Sequence, residues 1–292
     1  MLSRWVVVRR CGWNLLGFVV VLGSAGAQAR APMSAHRGAS EPFLDAAARV
    51  YSKALNETQN LNFGESAYDA RVGSFAELDL RRAPQIESIE KLQKIFVTYR
   101  DRRFLPDPQD ASFLRRLSWM YPDDGCFARA EYLGRLAEAD SLPSIGKLFV
   151  FGDLRAPTPN HPSGEVQWWY HVAGAYRVGE DLYVLDPAVE PKRPITDEEW
   201  GQRIGDHGTD GATTLEWSLC AARTFDPGMS CEHPTAQSDV SLGEWISPYL
   251  DAERERVTNL GRIASEVLGE HPPWLVNEAS ASESAGPRPA AP

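Results

Sequence analysis

Apolar and polar positions alternate with different periods along the chain. Phe43, Leu44, Ala47, Val50, Tyr51 and Leu55 keep helical spacing, as do Ile86, Ile89, Leu92, Ile95, Phe96 and Tyr99 in a run reaching about Phe104. Residues 61–83 are mixed, with short alternation from Tyr68 to Leu80. The stretch Leu105-Pro106-Asp107-Pro108-Gln109-Asp110 reads as a helix stop and linker, so a domain boundary is placed there. Beyond it, Ala111–Met120 reads as a helix and Tyr121-Pro122-Asp123-Asp124-Gly125 as a turn. A helix begins at Cys126 and runs to Glu138, with Phe127, Ala130, Leu133, Leu136 and Ala137 on its apolar side. Lys147–Arg155, Glu165–Val178 and Asp181–Val189 are rich in aromatic and β-branched residues and are predicted strands. Thr196-Asp197-Glu198-Glu199 has the form of a capping box for a short helix around Trp200.

The two ends are different in kind. Arg4, Arg9 and Arg10 precede an apolar run, Leu15–Leu22, and small residues follow at Ala25-Gly26-Ala27-Gln28-Ala29. Residues 1–29 therefore read as a cleaved secretory signal peptide, and the run is short for a membrane span. The expected destination is the periplasm or the exterior, with no stable membrane association after cleavage. Residues 276–292 are a low-complexity tail expected to be disordered.

With 292 residues, 43% hydrophobic and 24% charged, the rest is ordinary globular material. A net charge of −10 argues against a nucleic-acid partner. Export changes the reading of the four cysteines. Cys11 leaves with the signal. Cys220 and Cys231 flank the turn-rich Thr224–Gly228 and are the natural disulfide pair, which leaves Cys126 as a free thiol. Cys231-Glu232-His233 lacks the paired spacing of zinc motifs, and His207-Gly208-Thr209-Asp210 reads as a Gly-rich loop. No metal site and no cofactor is expected.

Cys126 follows Gly125 at a predicted helix start, where the N-terminal N–H groups favour a thiolate and can receive an oxyanion. A buried structural cysteine is the alternative. Among His36, His161, His171, His207, His233 and His271, His171 alone sits inside a strand. A hairpin turning at Val178/Gly179 places His171 directly opposite Asp186, within reach of a carboxylate–imidazole contact. A turn displaced by one residue makes the pair diagonal. Cys126, His171 and Asp186 thus form a candidate acyl-transfer triad.

Four ordered blocks carry a more specific likeness. Tyr121–Ala130, Lys147–Leu154, Trp168–Ala173, and Val184–Ala188 followed by Pro194–Trp200 together resemble bacterial protein-glutaminases, the protein-glutamine deamidases. The resemblance implies an α+β fold, a transglutaminase-like core whose antiparallel sheet packs against a helix carrying the nucleophilic Cys at its N-terminus. It implies the triad Cys126, His171, Asp186, and hydrolysis of the side-chain amide of glutamine in protein or peptide substrates. Trp168, Trp169 and Tyr170 are candidates for the groove that admits the glutamine side chain. The catalytic domain is expected over 109–275. Residues 30–108 have the size and position of an inhibitory pro-region, with an integral N-terminal domain as the alternative and Pro106 and Pro108 as the exposed junction. Glu131 departs from the family pattern, which leads one to expect a basic or imidazole residue there. A cysteine peptidase or a transglutaminase uses the same triad, and a non-catalytic secreted binding module remains the contrasting reading.

Overall fold

A computed structural model describes residues 65–205, 215–231 and 242–275, all within one compact unit. The signal peptide, the expected helix over 43–55, the His207 loop and the tail lie outside the described residues.

Five antiparallel strands form the central sheet in the order β6-β5-β4-β3-β7. β3 is Gly146–Pro157, β4 is Glu165–Val178, β5 is Asp181–Leu185, β6 is Ile195–Thr196 and β7 is Glu216–Cys220. Both faces are covered, which explains the near-continuous apolar runs. Phe149 and Phe151 of β3, with Val172 and Tyr176 of β4, face one cluster. Leu148 and Val150, with Ala173, Ala175 and Val184, face the other.

The first face carries helix α2, Cys126–Ala139, through Phe127, Ala130, Leu133 and Ala137. Close approach needs Gly174 on β4: a Cβ there would lie 2.3 Å from an Ile145 methyl and 3.3 Å from a Leu133 methyl. The second face is covered by α3, Asp197–Ile204, whose Trp200 is fully buried. The expected cap is present, as Thr196 Oγ1 accepts the Glu199 N–H at 3.2 Å.

Helix α1, Ile89–Asp101, is capped by Ser88 and buries Leu92, Ile95, Phe96 and Tyr99. Residues 66–72 run along the free edge of β7, with Val72 and Trp217 exchanging both backbone hydrogen bonds at 2.9 and 3.0 Å. That strap removes an open sheet edge.

Two expectations around residue 110 are corrected. Leu105–Pro106 (β1) pairs with Leu114–Arg115 (β2), so neither a linker at 105–110 nor a helix at 111–120 forms. The reason is electrostatic. Asp107, 1% exposed, accepts from Arg115 at 2.6 Å and pairs with Arg254 at 2.7 Å, and Arg115 also pairs with Glu253. The acid and guanidinium buried against each other hold the segment as a hairpin, while Pro106 and Pro108 themselves are exposed.

Helix α4, Leu242–Asn259, supplies Glu253 and Arg254, and the four-residue α5, Ala264–Val267, follows it. Cys220 and Cys231 form the disulfide, with Cα atoms 4.5 Å apart. Its loop presents Phe225 edge-on to Phe127, at 5.1 Å between ring centroids. Among the described residues no helix is long and apolar enough to cross a membrane.

Candidate active site

The local chain fixes Cys126 at the first turn of α2. Gly125 takes the left-handed conformation, φ +83°, which glycine alone adopts without cost. A Cβ on it would lie 2.9 Å from the Tyr249 ring. The Arg129 guanidinium reaches back to the carbonyls of Tyr121 (3.1 Å) and Asp124 (2.7 Å) and so holds the preceding turn. Cys126 is a free thiol, 5% exposed. The first backbone N–H groups of α2 have no partner within the helix and converge beside it.

His171 comes from β4 and Asp186 from the residue after β5. The register differs from the sequence expectation by one turn position. Val178 pairs with Asp181 and Gly174 with Leu185, so the turn is Gly179-Glu180, and the position across from Asp186 is Ala173. His171 lies two residues further along the same face of β4, the diagonal arrangement. Asp186 still reaches it, with Oδ2 2.8 Å from His171 Nε2. The expected strand to Val189 ends at Leu185. Pro187 offers no N–H, and the Asp186 carbonyl accepts from Val189 and Glu190 in a turn.

The carboxylate is fully engaged. Trp200 Nε1 donates to Oδ2 at 2.9 Å and the Ala188 N–H to Oδ1 at 3.2 Å. Trp168 stacks on the imidazole with centroids 4.3 Å apart and planes 10° apart, and its Nε1 donates to the Pro122 carbonyl at 2.8 Å. The ring that flattens against His171 is therefore tied to the turn before Cys126. His171 Nδ1 has no hydrogen-bond partner. With Nε2 committed to Asp186, Nδ1 is the nitrogen left for the Cys126 thiol.

Electrostatics follow the geometry. Burial disfavours the charged imidazole, but the Asp186 carboxylate outweighs it, with Cys126 adding, and the His171 pKa is raised to about 9. Burial raises the Asp186 pKa, yet His171 and Trp200 outweigh it and hold the carboxyl below its ordinary value. Tyr249 is pushed well above the usual phenol range, by burial first and then by Asp124 and Cys126.

Of the three aromatic groove candidates, Trp168 contacts the histidine. Trp169 packs against Tyr68 and Phe151, and Tyr170 against Phe149 and Phe151. All three are buried. Two other histidines are elsewhere: His161, 3.3 Å from Asp123, lies in the β3–β4 loop, and His271 is exposed. Among the described residues no group of three His, Cys, Asp or Glu side chains is placed to hold a metal.

Glu131 finds its partner on the sheet face beneath α2. Its carboxylate binds Lys147 Nζ at 2.6 Å and Arg135 Nε at 3.1 Å, and Lys147 is fully buried. The departure at position 131 is thus matched by a lysine on β3.

Helix α4 contributes contacts that local sequence reasoning missed. Glu253 Oε1 accepts the Met120 N–H at 2.8 Å, Arg256 grips Asp123 through two bonds of 2.7 and 2.8 Å, and Tyr249 lies against Gly125. Positions 249, 253 and 256 share one helix face, and that face holds the segment before Cys126 at three points. Arg256 also donates to the Asn160 carbonyl at 2.8 Å, joining that turn to the β3–β4 loop.

A family model described as glutaminase matches residues 92–204. Among solved structures, the crystal structure of a protein-glutaminase is 21% identical over 53% of this chain and 84% of that one, with a TM-score of 0.40. The NMR structure of protein-glutaminase from Chryseobacterium proteolyticum is 22% identical over 55% of this chain and 88% of that one, with a TM-score of 0.41. A crystal structure of pro-protein-glutaminase is 20% identical over 53% of this chain and 54% of that one, with a TM-score of 0.37. The match thus spans about half the length of the pro-protein. No curated protein matches the chain.

Proposed function

We propose, from the match of residues 92–204 to a family model described as glutaminase, that this protein hydrolyses the side-chain amide of protein-bound glutamine to glutamate and ammonia. The observation that carries the reading is the half-open histidine. His171 is closed on Nε2 by Asp186 and open on Nδ1 beside the Cys126 thiol, inside a buried site.

The chemistry follows from those positions. The Cys126 thiol gives its proton to His171, and the thiolate attacks the γ-carboxamide carbon. The developing oxyanion meets backbone N–H groups at the start of α2. Collapse breaks the C–N bond, and the imidazolium gives its proton to the leaving nitrogen, releasing ammonia and leaving a thioester. A water then loses a proton to the neutral imidazole as its oxygen attacks the thioester. Collapse of that second intermediate frees glutamate and returns the proton to sulfur. Asp186 orients the ring and stabilises its charged form throughout.

Export by residues 1–29 belongs to the same reading, and the Cys220–Cys231 disulfide suits an oxidising compartment. Removal of a pro-segment within residues 30–108 on maturation belongs to the same reading.

The test is ammonia release from a glutamine-containing protein by the chain beginning at residue 30, with substrate mass followed in parallel. Ammonia and a gain of about 1 Da per site without backbone cleavage, both absent in Cys126→Ala, are expected. Backbone cleavage moves the assignment to a peptidase, and an amine-dependent cross-link to a transglutaminase. Substrate binding unchanged in Cys126→Ala, with no chemistry in either protein, leaves a binding module.

A further inference from the structure

A cavity of about 410 Å³ opens beside the triad, and its walls are continuations of the catalytic segments. Trp119 leads into the turn before Cys126, Pro187 and Ala188 follow Asp186, and Asn160 belongs to the loop held by Arg256. Trp274 closes another side, with its indole N–H bonded to Asp101 at 3.0 Å. Cys126 and His171 are not in the wall, so the cavity adjoins the reaction centre rather than containing it.

Its charge is opposite to that of the chain. The protein has a net charge of −10, yet the charged side chains in the wall are Lys192 and Arg262. Among the described residues neither meets a carboxylate through its side chain. Arg262 donates to the Asn160 side-chain oxygen at 2.8 Å and to the Pro159 carbonyl at 2.7 Å. Lys192 is exposed, and its hydrogen bonds run through its backbone: its N–H donates to the Glu190 carboxylate at 2.9 Å, an acid already paired with Arg203 at 2.8 Å, and its carbonyl accepts from Gln93. The adjacent Arg193, by contrast, is paired with Glu199 at 2.7 Å. Two cationic side chains without a carboxylate partner of their own, at the mouth of a preformed, proline-lined cavity, match an incoming carboxylate.

A glutamine in a polypeptide brings its flanks with it. Once its amide reaches Cys126, residues one to four positions away lie within roughly 3–14 Å along an extended chain, at about 3.3 Å per residue. We propose that this cavity receives the polypeptide flanking the target glutamine, and that Lys192 with Arg262 selects an acidic residue in that flank. The inference rests on the deamidation reading for its choice of occupant.

The test separates the two. Two peptides with a central glutamine are compared, one flanked on both sides by paired glutamates and the other by paired lysines. Binding is measured on the Cys126→Ala chain from residue 30, by indole fluorescence and by calorimetry, so that no turnover is needed. The glutamate peptide is expected to bind more tightly. Lys192→Glu should cut that affinity about fivefold and raise that of the lysine peptide, as expected for reversing one exposed charge, with Lys192→Arg keeping the preference. The effect should shrink in 0.5 M salt. Equal affinities for both peptides, or a preference that Lys192→Glu leaves in place, overturn the proposal. Ammonia release from both peptides by the Cys126 protein, with no charge preference in binding, removes the cavity role alone. Charge-selective binding with no ammonia from either peptide keeps the cavity role and removes the deamidation reading.

Discussion

Two buried acid–base pairs cross this fold, and they are finished differently. Glu131 and Lys147 join α2 to β3. Both are at most 1% exposed, and Arg135 supplies a further donor to the carboxylate. Asp186 and His171 join the end of β5 to β4, equally buried, and the carboxylate again has extra donors, from Trp200 and Ala188. The difference lies on the basic side. The Lys147 ammonium is spent on its acid, whereas His171 keeps Nδ1 unpartnered. A buried polar atom without a partner costs free energy. The fold tolerates that cost at the imidazole and not at the ammonium. Burial moves the Lys147 pKa down, against the pull of Glu131, whereas the His171 pKa ends raised, to about 9.

Breaking each pair should therefore give opposite signatures. The largest effect is expected from Asp186→Asn. The imidazolium loses its counter-charge, and amide hydrolysis per folded molecule should fall by about 10³–10⁴-fold, beyond the stability lost with the pair. Ammonia release per folded molecule checks it, and a loss under tenfold would argue against the assigned role. Lys147→Met should do the reverse. It strands a buried carboxylate and should cost about 3–5 kcal/mol in urea denaturation while activity per folded molecule holds. The double variant with Glu131→Gln should recover most of that stability.

A third comparison uses pH. The His171 pKa is raised from 6.5 to about 9 on folding. Its stabilisation is complete below pH 6.5 and is lost as pH climbs through 9, on the order of 3 kcal/mol at about 1.4 kcal/mol per factor of ten in acidity. Asp186, lowered from 3.8, contributes above that value and loses its contribution as pH falls. Thermal melts should decline between pH 6.5 and 9 in the parent and stay flatter in His171→Gln. Equal slopes would contradict the raised imidazole. The smallest effect is expected from Trp200→Phe, which removes one donor to Asp186. It should cost about 1.5–3 kcal/mol, with a smaller activity loss than Asp186→Asn.

The site was more legible in sequence than its support. The helix start at Cys126, the two long strands, the cap at Thr196 and the cysteine pair all rest on local signals, and all appear. The juxtaposition of His171 and Asp186 was read through a hairpin turned one position too early. It survives because a one-position move of the turn shifts the register by two and keeps both side chains on one face. The hairpin at 105–115 was read as linker and helix because its cause is distant, with Glu253 and Arg254 lying some 140 residues away. The same distance hid Tyr249 and Arg256. Nothing near residue 250 in the chain announces that this face will hold Met120, Asp123 and Gly125. Glu131 looked anomalous alone and becomes ordinary once Lys147 stands beside it.

The Cys220–Cys231 link also bears on how Cys126 stays a free thiol. Among Cys126, Cys220 and Cys231 three pairings are possible, and two of them would consume Cys126. The native link closes a separation of 11 residues. Joining Cys126 to either partner would close a loop of roughly a hundred, and loop-closure entropy disfavours that by about 2 kcal/mol, some 25-fold in ring-closure probability. In an oxidising medium the unfolded chain is thus biased toward the bond that spares Cys126. Once the native state forms, burial of Cys126 keeps oxidants from reaching it. Contour length, set by where the cysteines fall in the sequence, acts here as a protecting group.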